Sequence, residues 1–231
     1  MLIKAIKTRI FHESEELFPF ILKYVKKIPE KSVLVVTSKI VALSEGRTVE
    51  YKNKKQKIAL IKQESDFSLK NNFLFSIKGG MVTPFAGIDE SNGNGKLVLL
   101  PKDSFKSAEV LRKKLMLKFR LKNFGILITD SGFIPLRNGA IGLAVGYAGF
   151  EGVKNHIGKK DIFGRILKMS KTDVADSLAT TAVLSMGEGR ERTPLALITG
   201  APVVFTDKIK RNEIIINPKK DIYAPLFNKL S

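Results

Sequence analysis

Phe124-Gly125-Ile126-Leu127-Ile128-Thr129-Asp130 is an apolar run that ends abruptly in a polar pair. A run this short and this apolar reads as a strand buried on both faces. It places Asp130 at the carboxyl end of a central strand. Ser32-Val33-Leu34-Val35-Val36-Thr37 has the same character, and Leu195–Thr199 supplies a third strand. Residues 2–8 alternate well enough for a fourth.

Helical spacing fills the intervals. Residues 14–27 put Leu17, Phe18, Ile21, Leu22 and Val25 on one face. Residues 57–70 read as a lysine-rich helix. From Ser104 to Phe119 the spacing of Phe105, Ala108, Leu111 and Leu115 gives a buried stripe, with Asp103 or Ser104 as its cap. Ser170-Lys171-Thr172-Asp173 has capping-box spacing before a helix that buries Val174, Leu178, Ala182 and Met186. Gly187-Glu188-Gly189 stops that helix. Residues 73–78 and 96–100 read as strands, with Ser91-Asn92-Gly93-Asn94-Gly95 as a turn, and the tail from Asp221 as a last short helix. The mixture is α/β (α+β mixed), without the regular βα alternation of a doubly wound sheet. No internal repeat is present, and residues 1–231 read as one unit. Glycines crowd the stretch after Asp130, which suggests backbone approaching a ligand or another chain closely.

The composition narrows the function. Of 231 residues, 44% are hydrophobic and 27% charged, the balance of a globular domain. There is no cysteine, which rules out disulfides, thiolate nucleophiles and cysteine-held metals. No apolar run approaches the ~20 residues of a membrane span. The start is too interrupted for a signal peptide, so the expected setting is cytoplasmic. The net charge of +18 admits an anionic partner, or simply a lysine-rich surface. The basic residues are scattered, and no aromatic-interleaved motif accompanies them, which makes nucleic acid a minor expectation.

Histidine chemistry would rest on His12 or His156, and neither sits in a motif. No phosphate-cradling G-x-x-x-x-G-K-[ST] loop and no G-x-G-x-x-G fingerprint occurs. What remains is acidic and basic. Asp130 suits a hard cation, which wants one or two carboxylates plus phosphate oxygens; it equally suits a turn cap. Asp161, in Asp161-Ile162-Phe163-Gly164-Arg165, can join it if the glycine-rich segment folds back. Asp89-Glu90-Ser91-Asn92 reads as a polar cluster or a plain hairpin turn. Arg47 offers a fork for phosphate or carboxylate, or a surface ion pair. Arg137 is a second arginine inside the glycine-rich stretch. Gly187-Glu188-Gly189-Arg190-Glu191 is either a helix stop or a loop of backbone donors.

Taken in order, several short motifs resemble the F420-0:gamma-glutamyl ligases. They are Ser44-Glu45-Gly46-Arg47, Gly87-Ile88-Asp89-Glu90-Ser91-Asn92, Leu99-Leu100-Pro101, Ile128-Thr129-Asp130-Ser131, Asp161-Ile162-Phe163-Gly164-Arg165, Ala175-Asp176-Ser177-Leu178-Ala179 and Met186-Gly187-Glu188-Gly189. The resemblance implies a two-part fold forming an intertwined homodimer. It implies a ligase that adds L-glutamate through its amine to a carboxylate of an anionic cofactor, spending GTP (or ATP) with Mg2+ or Mn2+. Carried over, Asp130 and Asp161 are the metal carboxylates, with Arg47 beside them in catalysis. Ser38, Lys39, Ser131, Asp89, Ser91, Asn92 and Arg137 fall at nucleotide- or substrate-binding positions. Two departures stand out: Leu43 replaces a motif lysine, and Thr8-Arg9-Ile10-Phe11 matches the family's early segment poorly. Residues 129–139 and 146–150 are closer to a bacterial branch linked also to folate glutamylation, which makes a folate-type acceptor one alternative and a non-catalytic nucleotide-binding module another.

Overall fold

The computed structural model describes residues 1–69, 72–208 and 210–227. Its first half runs β1 (Leu2–Ile6), α1 (Leu17–Tyr24), β2 (Ser32–Thr37), α2 (Ser38–Ser44), β3 (Thr48–Val49), α3 (Lys54–Glu64), β4 (Phe67–Leu69), β5 (Asn72–Lys78), β6 (Met81–Thr83) and β7 (Leu97–Val98). The second half runs α4 (Ser104–Phe119), β8 (Phe124–Phe133), β9 (Ala140–Ala148), β10 (Val153–Asn155), β11 (Lys171–Asp173), α5 (Val174–Met186), β12 (Leu195–Thr199) and α6 (Ala224–Phe227). The fold is mixed α/β, as expected.

The largest sheet has the order β1-β12-β2-β8-β9. Only β2 and β8 run parallel, with Thr37 opposite Thr129. This register decides where the site lies. Both strands pass from apolar to polar in the same direction, so their polar ends share one edge of the sheet.

Alternation along these strands sorts the core. Leu34, Val36, Phe124, Ile126 and Ile128 face a layer built by α1, α2 and α4. Val33, Val35, Leu127, Ala196 and Ile198 face α5. Each fully buried valine, leucine, isoleucine or phenylalanine among these contributes about 1.5–3 kcal/mol. A smaller apolar cluster of Ile61, Ala86, Ile88, Leu97 and Leu99 ties α3 to the 86–99 segment.

Several elements differ from their sequence expectations for physical reasons. The first helix spans 17–24 rather than 14–27, because Ser14 takes a left-handed φ of 63° and Val25 is already extended. The lysine-rich helix starts earlier, capped by Asn53 accepting from the Gln56 N–H at 3.0 Å. It ends at Glu64, and the chain turns into the β4–β5 hairpin; residue 70 lies outside the described residues. The cap of α5 is Asp173, accepting from the Asp176 N–H at 2.9 Å. Ser170 instead bonds back through its carbonyl to His156.

The glycine-rich stretch includes the strand β9, which carries Gly142 and Gly146 and pairs antiparallel with an extended β8. Its glycines let helices approach. A Cβ on Gly146 would sit 2.6 Å from Ser104 Cβ, and one on Gly142 would meet the Ala179 carbonyl. The close approach is to helices of the same chain. No helix among the described residues is long and apolar enough to cross a membrane.

Candidate active site

At the shared polar edge, β2 passes directly into α2 while β8 reaches Asp130. Ser38 and Lys39 are thereby placed beside Asp130 and Ser131. A cleft of about 930 Å³ opens there, walled by the 83–96 segment, the 187–194 loop and residues 8–13.

Asp130 lies on its floor and is largely buried. The Ser38 hydroxyl donates to its Oδ1 at 3.1 Å. Burial pushes its pKa up to about 6, with the nearby Asp89 charge adding to the rise; the Ser38 bond, the Ser131 N–H and Lys39 oppose it. A carboxylate kept partly protonated by burial is primed to exchange its proton for a cation.

Lys39 makes three bonds: 2.6 Å to Asp89 Oδ2, 2.8 Å to the Ser91 carbonyl and 3.0 Å to Ser91 Oγ. Asp89 also accepts from the Ser91 N–H at 2.6 Å and the Ser91 hydroxyl at 2.9 Å. Burial works to raise the Asp89 pKa, but the Lys39 and Ser91 bonds outweigh it and hold it below the ordinary carboxylate value. The approach to Asp89 is strained. Phe85 and Ala86 take φ of 52° and 56° ahead of Gly87 at 72°. Left-handed backbone at non-glycine residues costs on the order of 1–3 kcal/mol each and collects at functional sites. Asn92, at φ 54°, also lines the cleft.

On the opposite wall, Ser131 Oγ donates to Glu188 at 2.8 Å. The sequence left this segment as either a helix stop or a loop of backbone donors, with no role for the Glu188 side chain; the signal was an acid between two glycines. Arg190 and Arg192 from the same loop also line the cleft. Thr129 is 1% exposed, and its hydroxyl has no hydrogen-bond partner among the described residues. An unpaired buried hydroxyl is destabilising. Thr129→Val should therefore raise stability by about 1 kcal/mol in urea unfolding; a loss instead would show that the hydroxyl is satisfied.

The remaining expected residues lie apart from this cluster. Arg47 is not among the cleft's lining residues. It bonds Glu64 at 2.8 Å and the Leu100 carbonyl at 3.1 Å, tying α3 to the end of α2. Arg137 sits in the exposed turn between β8 and β9. Asp161 is on the β10–β11 loop, where its Oδ1 accepts from the N–H groups of Phe163 at 2.9 Å and Arg165 at 2.8 Å. The structure thus gathers Ser38, Lys39, Asp89, Ser91, Asn92, Asp130 and Ser131. It does not bring Asp161, Arg47 or Arg137 into the same cleft of the chain.

Residues 5–200 match the family model described as F420-0:Gamma-glutamyl ligase. The coenzyme F420:L-glutamate ligase of Methanococcus maripaludis (strain C7 / ATCC BAA-1331) is 33% identical over 231 residues, 92% of this chain and 92% of the relative. That of Archaeoglobus fulgidus is 33% identical over 232 residues, again 92% of each chain. That of Methanocaldococcus jannaschii is 39% identical over 152 residues, 66% of this chain and 60% of the relative. A cleft built at the polar ends of two parallel strands and a match across most of the sequence lead to one conclusion: the chain belongs to the F420-0:Gamma-glutamyl ligase family and is an enzyme of the ligase class.

Proposed function

We propose that the chain is a cytoplasmic enzyme that forms an amide between the amine of L-glutamate and a carboxylate of a coenzyme F420-0-like acceptor. The reaction is driven by GTP or ATP, with Mg2+ or Mn2+. The observation that carries this reading is the convergence of Asp130, Ser38, Lys39 and Asp89 in one cleft. The relatives' names supply the acceptor and the amino acid.

A carboxylate is a poor acyl donor. Transfer of the γ-phosphoryl group to it gives an acyl phosphate, from which an amine can displace phosphate. Such transfer is mostly a matter of positioning and charge neutralisation. The donor set on the cleft floor fits a hard cation: Asp130 Oδ, the Ser131 hydroxyl and the Glu188 carboxylate are all oxygen, and a small divalent ion completes its shell with water and phosphate oxygens. When bound, the ion supplies charge neutralisation along the phosphates. Lys39 and the Arg190–Arg192 loop supply cations for phosphate and carboxylate groups. No histidine or cysteine is required.

Asp161 enters through a homodimer in which two-part subunits intertwine. Its loop exposes Ile162 and Phe163, 92% and 89% accessible, apolar surface that a second copy would cover. In this reading Asp161 completes the metal site of the partnering cleft.

The test is phosphate release from GTP and from ATP, with Mg2+ or Mn2+ and L-glutamate. Each reaction is run with coenzyme F420-0 (the deazaflavin acceptor), with a folate and with neither. Release should require the deazaflavin acceptor and yield a product heavier by one glutamyl unit. Folate-dependent release would reassign the acceptor, and no release from folded protein would overturn the ligation reading.

A further inference from the structure

Three oxygens converge on Lys39 Nζ: a carboxylate, a carbonyl and a hydroxyl, at 2.6, 2.8 and 3.0 Å. An ammonium carries three donors, and each finds an acceptor here. The frame around this seat is fixed. Asp89 is bridged to Val98 in both directions at 2.9 and 2.8 Å, its carboxylate is clamped by the Ser91 N–H, and the strained Phe85-Ala86-Gly87 run delivers it. The occupant is a point charge on a flexible four-carbon stem. Both the Lys39 and Asp89 charges are felt at Asp130, where the phosphates of the proposed reaction would gather.

We propose that Asp89 and Ser91 form the seat for the ammonium of the incoming L-glutamate. Lys39 keeps the seat until phosphorylated ligands draw its charge toward Asp130. Asp89 then takes the proton that the amine must lose. This rests on the ligase reading above. One proton passes from the ammonium to Asp89 Oδ2. The freed nitrogen lone pair forms the C–N bond at the acyl carbon, and the C–O bond to phosphate breaks with its electron pair leaving on phosphate. The second nitrogen proton goes to the departing phosphate, and Asp89 returns its own to water. Departure of Lys39 removes the cation that now depresses Asp89's basicity, so the base strengthens when it is needed. The same exchange imposes an order: nucleotide and acceptor first, glutamate last.

The experiment compares L-glutamate with hydroxylamine, a nucleophile already uncharged at neutral pH, in the presence of nucleotide, metal and the deazaflavin acceptor. In Asp89→Asn, glutamate coupling should fall about 10²–10⁴-fold while hydroxamate formation stays within about tenfold of the parent. Residual glutamate coupling should climb with pH as free amine accumulates. Equal loss of both products from folded Asp89→Asn, or a pH profile and rate like the parent's, overturns the proposal. Ser91→Ala keeps the carboxylate and should raise KM for glutamate with little change in KM for nucleotide; an unchanged glutamate KM overturns the proposal even where Asp89→Asn fails to fold. A parent protein that makes neither amide nor hydroxamate sinks the ligase reading itself, and the ammonium seat with it.

Discussion

Asp130→Asn gives a protein that is more stable at neutral pH and turns over about a hundredth to a thousandth as fast as the parent, the loss expected when preorganised electrostatic stabilisation is removed. The two effects have one origin. Asp130 is held in β8 just past the strand's apolar run, largely out of water, with one serine hydroxyl and one N–H for company. Its pKa of about 6 lies above the ordinary 3.8. For an acid with a raised folded pKa, the folded state binds the proton more tightly than the unfolded chain does. Stability is therefore highest below pH ~4, declines as pH rises toward 6, and stays reduced above that. The charged form costs the fold roughly 3 kcal/mol at pH 7.

Asparagine keeps the shape and the acceptor for Ser38 but carries no charge. Urea unfolding at pH 7.5 should show the variant about 3 kcal/mol more stable, and the gap should close near pH 4. Activity should be lost at both pH values. In the parent, metal affinity should weaken as pH falls through about 6, because the cation must displace the bound proton. A variant with normal metal-dependent turnover would remove Asp130 from the proposed metal site. A variant less stable than the parent at pH 7.5 would mean that the buried charge is better compensated than the geometry indicates.

The parts of the fold that were readable in the sequence are those where one physical signal dominates. β2, β8 and β12 are continuous apolar runs, and α4 has a cap and an uninterrupted stripe. Asp130 was readable because the polar pair marks where the apolar run, and with it the pairing to β2, ends; β8 itself runs on to Phe133, paired with β9. β9 was hidden because glycine carries no strand preference. Its glycines answer to helices that come from distant sequence, and that demand is visible only once α4 and α5 are docked. The same glycines suggested a fold-back joining Asp161 to Asp130. The segment instead forms β9 and then β10, which carries Asp161 away. Arg47 shows a different limit. A guanidinium fork fits phosphate and carboxylate equally, and only the placement of α3 brings Glu64 to 2.8 Å. The Asp89 cluster was read as either a turn or a site; it is a turn whose polar atoms face the cleft.

Gly142→Val should cost the fold about 3 kcal/mol or more and blunt activity through the cleft wall. Gly142 lies in β9 beneath α5. A Cβ there would stand 2.7 Å from Val183 Cγ2 and press on the carbonyl of Ala179, while the Thr180 hydroxyl already bonds the Gly142 carbonyl at 2.8 Å. Helix backbone cannot yield locally as a flexible side-chain end can, so relief requires α5 to lift from the sheet. Overpacking of this kind typically costs 1–3 kcal/mol, and valine adds branches to the same contact. For a chain of this size each kcal/mol lowers Tm by about 2–4 °C, so a drop of roughly 6–12 °C is expected. The displacement should not stop at the helix. α5 ends at Met186 and runs straight into the loop that carries Glu188 to Ser131. Lifting α5 therefore pulls that wall away from Asp130. The signature is a raised KM for nucleotide or acceptor in protein that is still folded at the assay temperature. Gly142→Ala should show the same pattern at reduced size. A valine variant with parental Tm would mean that α5 is free to shift, and a lowered Tm with parental kinetics would mean that the 187–194 loop is held independently of the helix it follows.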